Sequence, residues 1–369
     1  MKKVLILVLS IIMVASLALL TACSTPAPQP SAPASAPAVE SSAAAAPSES
    51  AQPSEAPAKK YKIATVVKLV GIGWFDRMEE GLKKFAADTG HETFMQGPPK
   101  ADAALQVQII EDLIAQKVDA ICVVPFSPEA VEPVLKKARE KGIVVIGHEA
   151  DNLVNVDFDI EAFDNKAYGA ELMKILGDKM GGEGKYATTV GAVTAKSQNQ
   201  WEEGGVEYQE ANFKNMQLVE RKIETYDEQK KAEEIMTELL KKYPDLKGFQ
   251  GATSQDAPGA AAAVEKAGLI GKVHVVGTSL VSIAGKYLES GALDAIAFWD
   301  PADAGYAMNK LATMILDGKK DQIKEGLDLG VPGYEKLIYN SGITENKEKY
   351  LYGAAWKIVT KENMGDYNF

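Results

Sequence analysis

From residue 60 onward, short apolar runs rich in β-branched residues alternate with longer helical patterns. The run YKIATVVK precedes DRMEEGLKKFAADTG, whose apolar residues recur at helical spacing and whose Gly90 is a predicted C-cap. The runs HETFMQ, DAICVVP and IVVIG follow, with a helical pattern between successive runs. Strands separated by helices at this tight spacing predict a parallel sheet that is covered by helices on both faces.

The same alternation begins again near Asp164, after a junction at residues 151–163. Asp164 and Asp227 are placed to cap the helical patterns DNKAYGAELMKILGDKMGG and DEQKKAEEIMTELLKKYP. Residues 60–369 are too many for one typical hydrophobic core and suit two. The sequence therefore predicts an α/β protein with two doubly wound parallel-sheet domains that face each other across a cleft.

Residues 1–22 have the features of a secretory signal: the basic start MKK, an apolar stretch, and small residues before Cys23. The segment LTAC that ends at Cys23 is similar to the bacterial lipobox. This resemblance implies cleavage before Cys23 and attachment of lipid to it. A plain signal peptide, or a membrane anchor with an incidental cysteine, is the alternative. We expect an extracytoplasmic protein that lipid holds to the cell membrane, at the cell surface or in the periplasm.

Residues 23–59, which follow the signal, consist mainly of Ser, Ala, Pro, Glu and Gln and contain no aromatic residue before the folded part. Such a segment cannot bury enough apolar surface to offset its ordering entropy, so it is predicted to be a disordered tether. As a polyproline-like chain it would reach on the order of 100 Å at ~3.1 Å per residue. The second cysteine, Cys122, lies in an apolar run and is expected to be a reduced core residue.

Charge and missing motifs exclude several classes of function. The chain has a formal net charge of −11 and no basic cluster, which argues against nucleic-acid binding. Its three histidines are well separated and show no zinc-ligand spacing. The sequence contains no G-x-S-x-G, P-loop, G-x-G-x-x-G or H-E-x-x-H motif. We expect no metal, no cofactor and no catalysis.

Ligands of open parallel sheets bind beyond the carboxyl ends of the strands, so residues that follow the predicted strands are candidates. The stretch KLVGIGWF follows the first strand and contains Lys68, Trp74 and Phe75. An ammonium can donate to ligand oxygens, and flat aromatic rings can cover the apolar face of a sugar ring. A surface lysine and two core aromatic residues are the structural alternative.

Polar residues follow the later strands as well. Carboxylates and side-chain amides at strand ends suit the hydroxyl groups of a polyol. Solvated loops and helix caps are the structural alternative, and a glycoside hydrolase using Glu149 with Asp300 is the enzymatic one. The candidates after these strands are Glu149, Asp151, Gln198, Ser254, Trp299 and Asp300.

From about Tyr61 to Phe369 the chain resembles type I periplasmic sugar-binding proteins of ABC importers, the ribose-binding kind. It is most similar to the autoinducer-2 and rhamnose receptor branch. The resemblance rests on KIATVVKLVGIGWF, on IAQKVDAICVVPFSPEAVEPVLKKAREKGIVVIGHEAD, and on SQNQWEEG, GALDAIAFWD and ENMGDYNF. It implies a monomer whose two lobes close on a small sugar around three hinge strands and then dock on an ABC permease. The implied lobes are 60–153 with about 300–325, and about 160–298 with about 330–369.

The resemblance also implies roles for individual residues. Lys68, the pair Trp74 and Phe75, Gln198, and the pair Trp299 and Asp300 match ligand contacts of that branch. Three positions depart from it: glutamate replaces the family's aspartate, and two serines stand where aspartate or alanine is usual. These three residues are Glu149, Ser197 and Ser254. The departures favour a different pentose, deoxy-sugar or related polyol over autoinducer-2 itself. A sensor that presents bound sugar to a membrane receptor is a further alternative.

Overall fold

The computed structural model describes residues 59–339 and 349–369. The predicted signal, the lipidation site Cys23 and almost all of the predicted tether lie outside the described residues. Residues 57–369 form one compact unit. Among the described residues, no helix is both long enough and apolar enough to span a bilayer.

The helices and strands alternate as the sequence predicts. In chain order, the first elements are β1 (Lys62–Val66), α1 (Gly73–Thr89), β2 (Glu92–Gln96), α2 (Ala103–Ala115), β3 (Ala120–Val123), α3 (Pro128–Glu140), β4 (Val144–Gly147) and β5 (Phe158–Glu161). The next are α4 (Asn165–Met180), β6 (Glu183–Val190), α5 (Lys196–Asn212), β7 (Asn215–Glu224), α6 (Gln229–Lys242), β8 (Leu246–Gly251), α7 (Asp256–Lys266), β9 (His274–Thr278), α8 (Val281–Ser290) and β10 (Ala295–Phe298). The last are α9 (Pro301–Leu316), β11 (Ile338–Tyr339), β12 (Tyr350–Tyr352) and β13 (Lys357–Val359).

The strands form two separate sheets, one in each lobe. The first sheet has the order β11-β12-β5-β4-β3-β1-β2, and the second has the order β13-β10-β9-β8-β6-β7. Neighbouring strands are parallel except for the edge pairs β11–β12 and β10–β13. The predicted architecture of two parallel-sheet α/β domains is confirmed.

The chain passes from one lobe to the other three times within the described residues. It crosses after β5, after β10, where α9 returns to pack on the first sheet, and between β12 and β13. The first and third crossings run side by side, because the backbone N–H of Ala355 donates to the carbonyl of Ala162 at 3.0 Å. Three adjacent crossings form a hinge of the kind that domain closure requires.

The distribution of the last residues between the lobes differs from the prediction. The sequence assigned residues from about 330 to the second lobe, yet β11 and β12 extend the first sheet and only β13 joins the second. β12 pairs with the edge of β5 that lies opposite β4, with Leu351 facing Ile160. Strands of two or three residues are too short to show a period in the sequence, which explains the difference.

Two of the three helix caps predicted from the sequence are confirmed. Gly90 adopts a left-handed backbone with φ 73° after α1, and the Asp164 side chain accepts from the N–H of Ala167 at 2.9 Å. The prediction for Asp227 was wrong, because α6 has Glu228 as its N-cap and Asp227 turns away from it. Cys122 is a fully buried, free thiol in the core, as predicted.

Candidate ligand-binding site

A small cavity lies between the lobes, at the carboxyl ends of both sheets. Residues of the first lobe form one wall, residues of the second lobe form the other, and the second crossing closes one end. The lining residues are Lys68, Ile72, Trp74, Phe75, Glu149, Gln198, Trp201, Asp227, Ala252, Thr253, Ser254, Thr278 and Trp299. This position agrees with the rule that ligands of open parallel sheets bind beyond the strand ends.

The charged residues of the cavity form an ion cluster that spans the two lobes. The ammonium of Lys68 lies 3.2 Å from Oε2 of Glu149 in the first lobe and 3.8 Å from Oδ1 of Asp227 in the second. All three side chains are at most 6% exposed. Burial lowers the pKa of Lys68, but the charges of Asp227 and Glu149 outweigh it and raise that pKa. The lysine therefore stays charged in the closed cavity.

Both residues whose carboxylates face Lys68 have an unusual backbone conformation. Glu149 has φ 59° and Asp227 has φ 57°, both in the left-handed region. A residue with a Cβ pays roughly 1–2 kcal/mol for that conformation. Strain of this kind is common at functional sites, where the surrounding structure holds it in place.

A buried aspartate outside the cavity holds the carboxyl ends of three second-lobe strands together. The carboxylate of Asp256 accepts from the hydroxyls of Thr253, Thr225 and Thr189 at 2.6, 2.7 and 2.8 Å. It also accepts from the backbone N–H groups of Ala252 and Thr253. The segments that follow these strands carry lining residues such as Asp227 and Ser254. Asp256 therefore holds the second wall in place without lining the cavity itself.

Three tryptophan rings border the cavity. The ring of Trp299 meets Trp74 edge-on at 4.6 Å between centroids and meets Trp201 at 5.4 Å. The indole N–H of Trp201 donates to Asn165 at 2.7 Å, whereas the indole N–H of Trp299 is buried and has no hydrogen-bond partner in the described structure. Oδ2 of Asp227 is likewise buried without a partner there. The cavity thus combines aromatic surface with one unused donor and one unused acceptor.

The structure brings together seven of the nine ligand-contact candidates that the sequence singled out. These seven line the cavity: Lys68, Trp74, Phe75, Glu149, Gln198, Ser254 and Trp299. Their placement agrees with the prediction, and their contact with a ligand remains a prediction. The amide of Gln198 is anchored by the N–H of Gly191, which donates to Oε1 at 2.8 Å.

The other two candidates lie outside the cavity lining, and each has a structural role. Asp300 caps α9 by accepting from the N–H of Ala302, and it forms a two-point ion pair with Arg77 at 2.9 and 2.6 Å. Asp151 is 1% exposed and accepts from the amide of Gln200 at 2.7 Å. Neither geometry supports ligand contact. Glu149 lines the cavity and Asp300 does not, so the two carboxylates of the hydrolase alternative do not share this cavity.

The sequence analysis did not select Asp227, Trp201 or Thr278, all of which line the cavity. A signal for Asp227 was present, because it follows β7 as directly as the other candidates follow their strands. Its interpretation as a helix cap hid that signal. Among the described residues, no group of histidine, cysteine or acidic side chains is arranged to hold a metal ion.

Comparison with known proteins agrees with this geometry. The periplasmic binding protein domain family matches residues 63–320. The D-allose-binding periplasmic protein of Escherichia coli (strain K12) is 28% identical over 256 residues, covering 67% of this chain and 82% of that protein. The chain therefore belongs to the periplasmic binding protein domain family.

Two solved structures show the same fold. An ABC transporter solute-binding protein from Clostridium phytofermentas with bound L-rhamnose aligns with a TM-score of 0.76 and 22% identity, over 84% of this chain and 98% of that one. LsrB from Clostridium saccharobutylicum in complex with AI-2 aligns with a TM-score of 0.76 and 22% identity, over 84% of this chain and all of that one.

Proposed function

We propose that this protein captures one small, neutral sugar or sugar-like polyol between its lobes and delivers it to an ABC permease. The observation that carries the proposal is the buried interlobe cavity, where aromatic surface meets an unused donor and an unused acceptor. A buried polar group without a partner costs about 1–3 kcal/mol, which a hydroxyl-rich ligand would recover. The relatives are solute-binding proteins, which supports a role without catalysis.

The chemistry of the walls favours a sugar. The rings of Trp74, Phe75 and Trp299 offer flat apolar surface for the C–H face of a ring. Lys68 and the indole N–H of Trp299 can donate to ring or hydroxyl oxygens, and Asp227 can accept from a hydroxyl. Few other small molecules combine an apolar face with several polar edges.

Charge narrows the class further. One lysine faces two carboxylates in the ion cluster. An anionic ligand such as a sugar acid or sugar phosphate would be repelled by that excess negative charge. A neutral pentose, deoxy-sugar or related polyol avoids this repulsion.

The relatives support a small sugar as the ligand, but they do not identify which sugar this protein binds. The names of the similar proteins include D-allose, L-rhamnose and AI-2. At Glu149, Ser197 and Ser254 the chain departs from the pattern of the autoinducer-2 receptors that it resembles. We therefore place L-rhamnose, D-allose and related sugars before AI-2 in the order of testing.

Closure of the two lobes is part of the proposed function. Lys68 of the first lobe and Asp227 of the second approach to 3.8 Å only when the lobes meet. A ligand that contacts both walls favours that state over an open one, and the three crossings supply the hinge. The closed form would then be the form that the permease recognises.

A thermal melt of residues 57–369 against a panel of sugars tests this function. The protein is first unfolded and refolded to remove any ligand carried through purification. A sugar at 100 times its Kd adds about 2.7 kcal/mol of stability, a rise in Tm of several degrees. We expect a rise with a neutral pentose, hexose or deoxy-sugar and none with the matching sugar acid. A sugar acid that stabilises more than the neutral sugars would contradict the proposal, as would an unchanged Tm across the panel.

Anchoring through lipid at Cys23 is a separate part of the proposal, since that residue lies outside the described structure. Cys23 is the first cysteine of the chain and follows the apolar stretch that ends in LTA. Full-length protein with Cys23→Ser should be released from the cell in soluble form, and the parent should remain with the membrane fraction. Equal distribution of the two would contradict lipid anchoring.

A further inference from the structure

A second group of buried ionisable side chains lies at the hinge, outside the ligand cavity. Asp159 and Glu161 are two residues apart on β5, so their side chains share one face of the strand. Asp151 reaches them from the loop after β4. All three are at most 2% exposed. We call Asp151, Asp159 and Glu161 the hinge acid cluster.

The second lobe covers the hinge acid cluster with the first turn of α5. The hydroxyl of Ser197 donates to Oε1 of Glu161 at 3.1 Å, and the amide of Gln200 donates to Oδ2 of Asp151 at 2.7 Å. The ammonium of Lys196 is 4.0 Å from Asp151 and is 37% exposed. These three contacts join α5 of one lobe to carboxyl groups of the other.

The cluster lacks positive charge to balance it. Both carboxyl oxygens of Asp159 are buried without a hydrogen-bond donor in the described structure. Within residues 59–339 and 349–369, Lys196 forms an ion pair with Asp151, no cation forms one with Asp159 or Glu161, and Lys68 is held by the ion cluster of the cavity. The other titratable groups that face the cluster are His148, Glu149, Asp164, Tyr334 and Tyr350. None of these adds a fixed positive charge.

A proton is therefore the remaining way to neutralise the pair on β5. Burial raises the pKa of Asp159 and of Glu161 well above the ordinary carboxyl range, and the neighbouring carboxylates raise both further. Burial also raises the pKa of Asp151. Two buried carboxyl groups that share a proton satisfy each other as donor and acceptor, which two carboxylates cannot do.

We propose that the hinge acid cluster couples proton uptake to closure of the lobes, so that ligand affinity falls as pH rises. When the lobes separate, α5 withdraws Ser197 and Gln200, and water reaches the carboxyl groups of Glu161 and Asp151. In water these groups ionise at ordinary carboxyl values, and closure must return a proton to them. Because linkage is reciprocal, a closed state that binds a proton more tightly is itself favoured by protons. This inference rests on the proposed closure of the lobes.

The radius of gyration of residues 57–369, measured by small-angle X-ray scattering without ligand from pH 5 to 8.5, tests the coupling directly. The radius of the parent should increase as pH rises. The double variant Asp159→Asn with Glu161→Gln carries neutral amides of the same shape and should keep one radius throughout. Glu238→Gln, on the exposed face of α6, is the matched control and should follow the parent. Identical profiles for parent and double variant would overturn the inference.

A milder variant covers the case in which the double variant does not fold. Ser197→Ala removes a hydrogen bond that lowers the pKa of Glu161. The pH range over which the radius changes should therefore move to higher pH. If Ser197→Ala and the parent change radius over the same pH range, the role of the hydrogen bond from Ser197 to Glu161 is contradicted.

Titration calorimetry with D-allose and L-rhamnose extends the test to affinity. The affinity of the parent should fall by up to about tenfold per pH unit over the range in which one proton is lost. The double variant should show no such slope. If neither sugar binds at any pH while the radius still responds, the sugar assignment is contradicted and the coupling stands. If a sugar binds with equal pH dependence in both proteins, the coupling is contradicted and the sugar assignment stands.

Discussion

The ion cluster of the cavity and the hinge acid cluster bury carboxyl groups to the same degree but neutralise them differently. In the cavity, Lys68 lies between Glu149 and Asp227 within 4 Å of each. At the hinge, no cation of the described part of the chain forms an ion pair with Asp159 or Glu161. A fixed counter-charge makes the first cluster a permanent structural element of the closed state. A proton makes the second cluster sensitive to pH. Charge balance, more than burial, therefore separates a recognition site from a switch.

Removal of the positive charge of Lys68 should have the largest effect on stability and sugar binding. Lys68→Met keeps most of the side-chain volume and leaves two buried carboxylates without a cation. Breaking a buried ion pair from one side typically costs about 3–5 kcal/mol, so we expect a loss of that order in the free energy of unfolding together with loss of sugar binding. Urea denaturation and calorimetry measure the two effects.

The control for that prediction is an exposed lysine with a carboxylate partner. Lys83 pairs with Glu79 one turn away on α1, and its side chain is 69% exposed. Lys83→Met should change the free energy of unfolding by at most about 0.5 kcal/mol. Equal effects in the two variants would show that the cavity lysine has no special role.

The next largest effect concerns the aromatic wall. Trp74→Ala should reduce affinity for the bound sugar by about tenfold or more, equivalent to about 1.4 kcal/mol. Trp201 is held by Asn165 within its own lobe, so Trp201→Ala should mainly reduce stability, by about 3–5 kcal/mol. Calorimetry at a temperature where both variants are folded separates the two effects. A greater loss of affinity in Trp201→Ala would show that the ring face lies on the other wall.

The hinge acid cluster should contribute a pH dependence of smaller size. Its native pKa values are raised, so between about pH 4 and the raised values the folded state binds more protons than the unfolded state. The free energy of unfolding should then decrease as pH rises, by up to about 1.4 kcal/mol per pH unit for one proton. The double variant Asp159→Asn with Glu161→Gln should lack this part of the slope. Urea denaturation at half-unit steps of pH measures it, and a parent that gains stability across the same range relative to the variant would contradict the account.

Asp300 should show the smallest effect on function. Its carboxylate caps α9 and pairs with Arg77 outside the cavity lining. Asp300→Asn should cost about 1 kcal/mol of stability and leave the affinity for sugar unchanged within about twofold. A large loss of affinity with little change in stability would restore Asp300 to the ligand contacts that the sequence proposed.

The sequence predicted the architecture well because alternating periodicity reports it directly. Each long apolar run with a helical pattern behind it, such as KIATV before α1, became a strand and a helix of the parallel sheets. The short edge strands β11 and β12 were missed because two or three residues carry no period. Their lobe is decided by long-range pairing with β5, which no local pattern specifies.

The sequence predicted which loops form the site, because these loops follow the strands, but it did not predict the directions of the individual side chains. The rule that strand ends converge placed Lys68, Glu149 and Trp299 correctly at one cavity. It could not tell that Asp151 turns toward Gln200 or that Asp300 turns toward Arg77, because neighbouring side chains of one loop point in different directions. The partner of a polar side chain depends on elements that are distant in sequence, in the same lobe for Asp300 and in the other lobe for Asp151.

The most direct test of the account is a crystal structure of residues 57–369 with the sugar that raises the Tm most. We predict one sugar molecule between the lobes, with its ring against Trp74 and its oxygens within hydrogen-bond distance of Lys68 and the indole N–H of Trp299. A sugar bound elsewhere on the protein, or a sugar in the cavity that contacts neither Lys68 nor Trp299, would contradict the assignment of this cavity as the recognition site.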